Sequence, residues 1–335
     1  MATIKDVAML AGVAPSVVSR LLNGDATLRV RPETRDRIHD AVARLRYTPN
    51  VAARSLRAGR SGAIAMALHD VVNPVYSEIV AGAQQAAAGL DQALLLGDVD
   101  SLAQGTGTLM RMIDGGAIDG LVMQGASRPS DEVLARFATK VPTVMLQEDP
   151  RPGITVIGLD DEEAGRVATG HLLDLGHTRI GCISTVRGTR PARDRLRGWR
   201  HGLRSAGIDV RRSDWLWSSW TDAAAGAQAM RRLLERSPDL TGVVVGNVAE
   251  GIGALGAAAD CGYTVPDDLS LVAIHDISMA EFVRPALTTV RLPLNELGRR
   301  AVGLLSPDGH GAETSVLVTD PEPTLAARAS TAPRR

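Results

Sequence analysis

Three polar side chains near the amino terminus have the types and the spacing needed to read DNA. Ser16, Arg20 and Asn23 follow one another at i, i+4 and i+7, so on a helix they share one face. A hydroxyl, a guanidinium and an amide on the exposed face of a short helix could enter the major groove and bond to base edges. The same spacing also fits an ordinary helical hairpin with a solvated polar face.

Two short helices around a turn would position these side chains. Thr3 and Asp6 form a Thr-x-x-Asp capping box, which predicts the start of the first helix. The apolar residues that follow recur with the helical period and are Ile4, Val7, Ala8 and Ala11. Gly12 supplies the turn, and Pro15 suits the first position of a second helix. A third helix from Glu33 to Arg46 would complete a three-helix headpiece.

The order of motifs along residues 3–61 resembles the LacI family of bacterial repressors. The matching stretches are TIKDVA at 3–8, AGV at 11–13, VSR at 18–20, LN at 22–23 and Y-x-PN-x-x-ARSL at 47–56. Ala14 and Arg31 depart from the pattern, because the family usually has Ser or Thr before its second and third helices. A missing cap costs about 0.5–2 kcal/mol, so we expect the first turns of these two helices to be less stable.

The resemblance implies which residues contact DNA. Base reading would fall on Pro15, Ser16 and Arg20, and Arg20 has the donor fork suited to guanine. The other expected DNA contacts are Thr3, Val17, Ser19, Asn23, Asn50 and Arg54. Leu56 matches the leucine that the family inserts into the minor groove. It would lie on a hinge helix over 51–59, which is too short to be stable alone; the alternative is an ordinary linker.

Charge and composition agree with a DNA-binding head on a globular body. Residues 1–60 carry 11 Lys+Arg and 5 Asp+Glu, a net of +6, whereas the whole chain carries −1, which leaves −7 for the remainder. Such asymmetry is typical of a module that meets phosphates. No apolar run reaches about 18 residues and no signal region opens the chain, so we expect a cytoplasmic protein without membrane contact. Cys182 and Cys261 are predicted to be buried free thiols.

From Gly62 onward, short apolar strands alternate with Ala-rich helical segments. The predicted strands are Ala63–Leu68, Ala93–Leu96, Gly120–Met123, Thr143–Leu146, Thr155–Ile157, Ile180–Ile183, Gly242–Val245 and Leu271–Ile274. This alternation predicts an α/β fold with two doubly wound parallel-sheet lobes that bind ligands at the carboxyl ends of their strands.

Further family motifs extend the resemblance over nearly the whole chain. They are NP at 73–74, DG at 119–120, GH-x-x-I at 176–180, R-x-x-GW at 195–199, VP-x-x-LS at 265–270 and P-x-LTTV at 285–290. They imply a periplasmic-binding-protein-like fold. The predicted organisation is a headpiece at 1–48, a hinge at 49–61, an effector-binding and dimerisation domain at 62–330 and a tail at 331–335. The two lobes of that domain would be 62–160 with 291–316, and 161–290 with 317–330.

The resemblance also implies an effector site, and this chain departs from the family pattern there. Sugar-binding members place carboxylates after the strands at 143–146, 242–245 and 271–274, where they accept hydrogen bonds from hydroxyls. This chain has Gln147, Val248 and His275 at those positions. The nearby carboxylates could replace them only through a one-residue shift in register; they are Glu148, Asp149 and Asp276. The predicted effector-binding residues are Asn73, Val75, Tyr76, Gln147, Arg195, Trp220, Asn247 and His275.

The retained arginine suggests the chemistry of the effector. Arg195 matches the ligand-clamping arginine of the family, and Arg187, Arg190 and Arg193 lie on the same approach. Arginine without opposing carboxylates predicts a positive potential, which favours an anionic or hydroxyl-poor effector. The alternative is a neutral sugar held in another pose.

One motif favours an enzyme instead. Gly251, Gly253 and Gly256 follow a predicted strand, and Asp276 comes 20 residues later, which outlines a dinucleotide fingerprint. However, residues 247–250 separate the strand from the first glycine, so the glycines would fall inside a helix. An NAD-dependent oxidoreductase and a free solute-binding protein remain the alternatives.

We therefore predict a transcriptional regulator, most simply a repressor, that needs no cofactor or metal. It would be a homodimer bound to pseudo-palindromic operator DNA, with two half-sites about one helical turn apart. A small-molecule effector between the lobes would control its affinity for that DNA.

Overall fold

A computed structural model describes residues 2–25, 27–48, 60–125, 131–306 and 315–334. Its contacts divide the chain into two compact units, Met1–Ser61 and Gly62–Arg335. The predicted hinge helix and Asn50, Arg54 and Leu56 lie outside the described residues.

The first unit contains three helices, α1 (Ile4–Ala11), α2 (Pro15–Leu22) and α3 (Pro32–Leu45). The predicted capping box is present at the start of α1, whereas Ala14 and Arg31 provide no side-chain cap for α2 and α3. Gly12 ends α1 in the left-handed region, at φ 66°, which turns the chain into α2. The buried core of the three helices consists of Val7, Ala8, Ala11, Val18, Leu21, Ile38 and Ala41.

The second unit alternates strands with helices. The strands are β1 (Ala63–Leu68), β2 (Ala93–Asp98), β3 (Gly120–Gln124), β4 (Thr143–Leu146), β5 (Thr155–Leu159), β6 (Ile180–Val186), β7 (Trp215–Ser218), β8 (Gly242–Val245), β9 (Ser270–Ile274), β10 (Thr288–Arg291), β11 (Ser315–Val318) and β12 (Thr324–Ala326). The helices are α4 (Pro74–Gly89), α5 (Val99–Ala103), α6 (Gly107–Asp114), α7 (Asp131–Ala138), α8 (Asp161–Asp174), α9 (Arg190–Ser205), α10 (Ala223–Arg236), α11 (Val248–Asp260) and α12 (Leu294–Gly303). Short 3-10 helices cover Arg212–Asp214 and Ser278–Glu281.

Two six-stranded sheets form two lobes. The first sheet has the strand order β11-β5-β4-β3-β1-β2 and is parallel throughout. The second has the order β12-β10-β9-β8-β6-β7, in which β12 alone runs antiparallel to its neighbour. The chain crosses between the lobes after β5, after β10 and after β11, so three segments connect them.

The predicted α/β architecture with two parallel-sheet lobes is confirmed, and each of the eight predicted strands coincides with an observed one. The eight predicted strands leave out β7, β10, β11 and β12, each of only three or four residues. Of these, β11 and β12 pair with strands that are not their neighbours in the chain, β5 and β10. Strand β11 stays in the first sheet through Val318, beyond the crossing predicted after residue 316. Among the described residues, no helix is both long and apolar enough to cross a bilayer.

The two cysteines do not share an environment. Cys182 lies on β6 and is buried, and burial raises the pKa of its thiol. Cys261 is exposed, so the prediction of a buried thiol there is wrong. The apolar residues that precede it end α11, and Cys261 is already the capping residue of that helix.

Candidate DNA interface and ligand cavity

Helix α2 presents the polar face that its spacing predicts. Pro15, Ser16, Arg20 and Asn23 are exposed, whereas Val18 and Leu21 are buried in the headpiece core. The remaining predicted contacts of this helix, Val17 and Ser19, are half-buried. Thr3 is exposed, but its hydroxyl donates to the Asp6 carboxylate at 2.9 Å as part of the α1 cap.

The loop after α2 holds the Arg20 guanidinium. Its Nε donates to Asp25 Oδ2 at 2.7 Å, and its Nη2 donates to Thr27 Oγ1 at 2.9 Å. Thr27 donates to Asp25 Oδ1 from its backbone N–H at 2.8 Å and from its hydroxyl at 2.6 Å. Hydrogen bonds from Thr27, and then from Arg20, lower the pKa of Asp25 to about 2, so the carboxylate is ionised at neutral pH.

A cavity of about 340 Å³ lies in the second unit, where the carboxyl ends of strands from both sheets meet. Its walls are formed by His69, Asp70, Val75, Tyr76, Asp100, Gln124, Gly125, Leu146, Gln147, Glu148, Thr185, Val186, Thr189, Arg190, Pro191, Arg195, Trp220, Thr221, Asn247 and His275. This volume suits a small metabolite. Its position follows the rule for doubly wound sheets, in which ligands bind outside the carboxyl ends of the strands.

Seven of the eight predicted effector residues line this cavity; they are Val75, Tyr76, Gln147, Arg195, Trp220, Asn247 and His275. Asn73 does not line it. Its Oδ1 caps α4, and its Nδ2 donates to the Thr221 carbonyl of the other lobe at 3.1 Å. Val248 is fully buried and is also absent from the walls, because it is the first residue of α11 and faces the core.

Arg195 forms the centre of a buried network on the second-lobe side of the cavity. Its Nε donates to Asp161 Oδ1 at 2.7 Å, with side chains only 4% and 3% exposed. Its Nη1 donates to the Gly246 carbonyl, and its Nη2 lies 3.0 Å from His275 Nε2. Burial raises the pKa of Asp161, and the Arg195 charge opposes that rise. The positive charge of Arg195 is therefore already paired before any ligand arrives.

His275 is neutral and its tautomer is fixed. Burial, and then the positive charge of Arg195, lowers the pKa of His275 well below its ordinary value. A guanidinium can only donate, so Nε2 of His275 must be the accepting nitrogen in its contact with Arg195. The proton of the neutral ring is therefore on Nδ1, which is buried and lacks a hydrogen-bond partner among the described residues. The backbone of His275 has φ 72°, in the left-handed region.

The three positions where the family places carboxylates lack them, but carboxylates from other positions belong to the cavity walls. Asp70, Asp100 and Glu148 all belong to its walls, together with the guanidinium groups of Arg190 and Arg195. Glu148 needs no shift in register, because Gln147 takes a left-handed backbone at φ 54° and both residues line the cavity. The walls therefore combine three carboxylate residues with two arginines, one of them paired with Asp161, whereas the prediction of a positive potential counted only arginines.

The three other arginines that were predicted to lie near the effector site differ in their contacts. Arg190 lines the cavity and donates from Nη1 to the Glu148 carbonyl at 3.0 Å. Arg193 donates to the Gly188 carbonyl and to the Asp149 carboxylate, outside the cavity wall. Arg187 is likewise absent from the wall.

Several contacts join the two lobes around the cavity. The rings of His69 and Trp220 lie 4.6 Å apart between centroids. Gln147 Nε2 lies 3.4 Å from Asp161 Oδ2, and the Arg190 guanidinium reaches the Glu148 carbonyl. A ligand in this cavity would therefore touch both lobes and the contacts that join them.

Sequence reasoning missed several wall residues of the first lobe, including His69, Asp70, Asp100 and Gln124. Gln124 ends β3, His69 directly follows β1, and Asp70 and Asp100 lie two residues beyond β1 and β2; a position at or just after the end of a strand was the available signal. Gln124 donates from Nε2 to the Tyr76 hydroxyl and accepts from the His69 backbone N–H at 3.0 Å. Burial raises the pKa of Tyr76 to about 12.

The glycines of the dinucleotide motif lie inside α11 rather than in a strand-to-helix turn. A Cβ on Gly253 would lie 1.8 Å from the Ala223 carbonyl oxygen, so this glycine lets α11 pack closely against α10. Asp276 is paired with Arg291 and Arg328, at 2.7 and 2.9 Å. These residues therefore have structural contacts in place of the geometry that a dinucleotide needs.

A helix-turn-helix unit joined to a two-lobed domain with a ligand cavity defines a class of ligand-regulated DNA-binding proteins. Comparison with known families agrees: residues 3–50 match the bacterial regulatory proteins of the lacI family, and residues 169–331 match the periplasmic binding protein-like domain. The chain is 34% identical over 312 residues to the ribose operon repressor of Escherichia coli strain K12, covering 91% of this chain and 92% of that protein.

Solved structures give the same assignment. The lac repressor dimer bound to operator and the anti-inducer ONPF matches with a TM-score of 0.82 and 26% identity, over 99% of both chains. The complex of the transcriptional regulator CelR with cellobiose matches with a TM-score of 0.71 and 27% identity, over 98% of this chain and 100% of that chain. The chain belongs to the LacI family, and it is a DNA-binding transcriptional regulator.

Proposed function

We propose that this protein is a repressor that binds operator DNA as a homodimer and releases or retains it according to a small molecule bound between the lobes. The observation that carries the proposal is the cavity itself, whose walls come from both lobes. A ligand that contacts both walls changes the relative stability of lobe arrangements, which is how one site can influence another. The operator-bound lac repressor dimer supports the dimeric state.

In this proposal α2 enters the major groove. Pro15, Ser16 and Arg20 contact base edges, and the half-buried Val17 and Ser19, with Asn23, lie nearer the phosphates. The exposure of the first set, compared with the partial burial of Val17 and Ser19, supports this division, although Asn23 is exposed as well. Leu56 as a minor-groove wedge, with Asn50, Arg54 and Thr3 as further DNA contacts, stays a prediction.

The second-lobe wall of the cavity offers hydrogen-bond donors to the effector. His275 carries its proton on Nδ1, a buried atom without a hydrogen-bond partner among the described residues, and we propose that an effector against this wall supplies that partner. Asn247 uses its Oδ1 to accept from the Ala249 backbone N–H at 2.8 Å, so its Nδ2 remains available as a donor. An effector must therefore direct at least one acceptor, such as a carboxylate or carbonyl oxygen, at this wall.

The first-lobe wall offers acceptors instead. Asp70, Asp100 and Glu148 belong to this wall, and carboxylates accept hydrogen bonds from hydroxyl groups. Asp100 Oδ2 lies 2.9 Å from His69 Nδ1, and Glu148 Oε1 accepts from the Asp149 backbone N–H at 2.9 Å, so an effector would use their remaining acceptor sites. A molecule with hydroxyls at one end and a strong acceptor at the other satisfies both walls. We infer a carbohydrate-derived effector with such an acceptor, for which sugar acids are the simplest candidates; the cellobiose complex of CelR supports the carbohydrate part.

We further propose that the chain is a regulator without catalytic activity. Its membership of a family of transcriptional regulators supports this, as does the packing role of the Gly251–Gly256 segment. An NAD-dependent oxidoreductase would bind NADH, so the absence of a fluorescence change on mixing the protein with NADH is the expected result.

Calorimetric titration tests the effector. Neutral sugars, the matching sugar acids and sugar phosphates are titrated into wild type and into His275→Asp, and retention of a selected DNA duplex is measured in parallel. Wild type should prefer the acid by about tenfold or more, as expected for a hydrogen bond to a charged group. His275→Asp should lose that preference, because an acceptor then faces the acid. Equal affinity of wild type for a neutral sugar and its acid would contradict the proposed wall chemistry.

A further inference from the structure

Arg20, the proposed base-reading residue, is tied to a structured loop rather than free in solvent. Asp25 and Thr27 engage it at 2.7 and 2.9 Å, although about half of its side chain is exposed. An exposed arginine normally samples many rotamers, and ordering such a side chain on binding costs about 0.5–1.5 kcal/mol. The loop has already ordered this one.

The geometry of the contact leaves the useful edge of the guanidinium open. A guanidinium has five N–H groups, and the loop engages Nε and one hydrogen of Nη2. The N–H of Nε and the engaged N–H of Nη2 together form the side edge of the planar guanidinium. The end edge, made by Nη1 and the second hydrogen of Nη2, still presents two parallel donors. Guanine O6 and N7 require such a pair of donors.

The carboxylate that holds Arg20 is itself fixed. Thr27 donates to Asp25 Oδ1 from both its backbone N–H and its hydroxyl, while the same hydroxyl accepts from Arg20. The backbone N–H of Asp25 also bonds to the Arg20 carbonyl at 3.0 Å. Three side chains thus form a closed ring of hydrogen bonds that ties the loop to the end of α2.

We propose that Asp25 is a positioning residue for DNA recognition, which holds Arg20 by its side edge so that its end edge faces a guanine. This rests on the proposed function of α2. The negative charge of Asp25 would also lie near the phosphates and weaken binding to any sequence. Asp25 thus favours the correct site through Arg20, which increases specificity, whereas the repulsion from its charge lowers the affinity for every sequence alike and leaves the ratio of affinities unchanged.

The test compares matched charge-removing variants of the full-length protein. The probes are a duplex selected from a random pool by wild type, a scrambled duplex, and copies of the selected duplex with each G·C pair replaced in turn. Asp25→Ala should weaken binding to the selected duplex by about 2- to 12-fold. It should leave scrambled-duplex binding equal or tighter. Asp40→Ala removes the same charge from an exposed position on α3 and should preserve the ratio of the two affinities.

Two further variants show whether Asp25 acts through Arg20. In an Arg20→Ala background, adding Asp25→Ala should not weaken binding to the selected duplex further, and both single variants should lose discrimination at the same G·C pair. Asp25→Asn keeps one acceptor and should recover part of the loss. Two results would overturn the positioning role while the proposed function stands. In the first, Arg20→Ala loses discrimination at the G·C pair but Asp25→Ala keeps it. In the second, the double variant loses as much affinity for the selected duplex as the two single variants lose together. If wild type selects no sequence at all, the proposed function fails first.

Discussion

Arg20 and Arg195 are each bound to a carboxylate through Nε at 2.7 Å, one at the surface of the headpiece and one inside the ligand-binding domain. Arg20 is about half exposed, so water screens its pair and supplies other partners when it breaks. Arg195 and Asp161 are almost wholly buried, so neither charge has an alternative partner in water. The same chemical pair therefore sets geometry in one region and stability in the other.

This difference separates the two functions of the protein. Substitutions at the surface pair should change which DNA is bound without changing whether the domain folds. Substitutions at the buried pair should change the fold and the cavity together, because Arg195 also contacts Gly246 and His275. Buried groups should therefore give the larger changes in stability, and exposed groups the smaller ones.

The largest effect is expected from Arg195→Met. Removing the guanidinium leaves Asp161 buried without its countercharge, which typically costs about 3–5 kcal/mol. Urea unfolding at neutral pH measures the change in the free energy of unfolding. The double variant Arg195→Met with Asp161→Leu should recover much of the loss, because it leaves no buried charge unpaired. A loss well under 1 kcal/mol for the single variant would contradict the claim that burial makes this pair different.

Glu250 shows what burial does to the pKa of a carboxyl group that has no direct partner among the described residues. Both of its carboxylate oxygens are buried and lack hydrogen-bond partners among the described residues, and burial raises its pKa to about 8. The nearby Ser218 hydroxyl and the Arg195 charge oppose that rise, but this hydroxyl donates to the Trp220 carbonyl at 2.9 Å. The raised pKa means that the native protein holds a proton that the unfolded chain releases above its ordinary pKa. Stability is therefore fully present at low pH and is lost as pH rises toward about 8.

Glu250→Gln should remove this dependence on pH. Wild type should lose about 2 kcal/mol of unfolding free energy between about pH 6 and about pH 8, since one proton contributes about 1.4 kcal/mol per pH unit. The variant should have a flatter profile. Glu235→Gln makes the same chemical change at an exposed position of α10 and should behave as wild type. Identical pH profiles for wild type and Glu250→Gln would disprove the raised pKa.

Arg20→Ala should affect recognition and leave folding intact. Loss of a bidentate guanine contact removes about 1–3 kcal/mol of discrimination, or about 5- to 150-fold in the ratio of selected to scrambled affinities. Thermal unfolding should change little, because exposed ion pairs contribute little to stability. Arg37→Ala removes an equal charge from an exposed site on α3 and should weaken both duplexes alike, if it acts at all. An unchanged affinity ratio for Arg20→Ala would show that base reading lies elsewhere.

The smallest effect is expected at the start of α2. Ala14 has the extended backbone of a capping residue, at φ −72° and ψ 145°, but no side chain that can cap. Ala14→Ser should stabilise the headpiece by about 0.5–2 kcal/mol, measured by hydrogen exchange of α2 amides in the full chain. Ala43→Ser adds the same hydroxyl to an exposed position inside α3, where no cap is needed. Equal hydrogen-exchange protection of α2 in Ala14→Ser and in wild type would show that the backbone N–H groups at the start of α2 already have partners.

The headpiece and the α/β architecture could be predicted from sequence because their signals are local. The capping box at Thr3 and Asp6, the glycine turn and the apolar period of α1 lie within a few residues of one another. Most of the strands that were predicted are continuous and nearly all buried, such as Ala63–Leu68 and Gly242–Val245, whereas the Ala93–Asp98 strand is partly exposed. The strands that were missed, such as β11 and β12, are held by pairing with distant segments, which no local window contains.

The set of functional groups follows from the order of residues: an arginine and a serine on one face of α2, an arginine on α9, and polar residues after successive strands. What those groups touch depends on the tertiary structure. It brings Asp25 and Thr27 back to Arg20, turns Glu148 into the cavity beside Gln147, and fixes the His275 tautomer through Arg195. The physical reason is that the protonation state of a group, and whether it donates or accepts a hydrogen bond, depend on its burial and on its distance from other groups. Spacing along the sequence determines neither burial nor distance for residues that only the folded chain brings together.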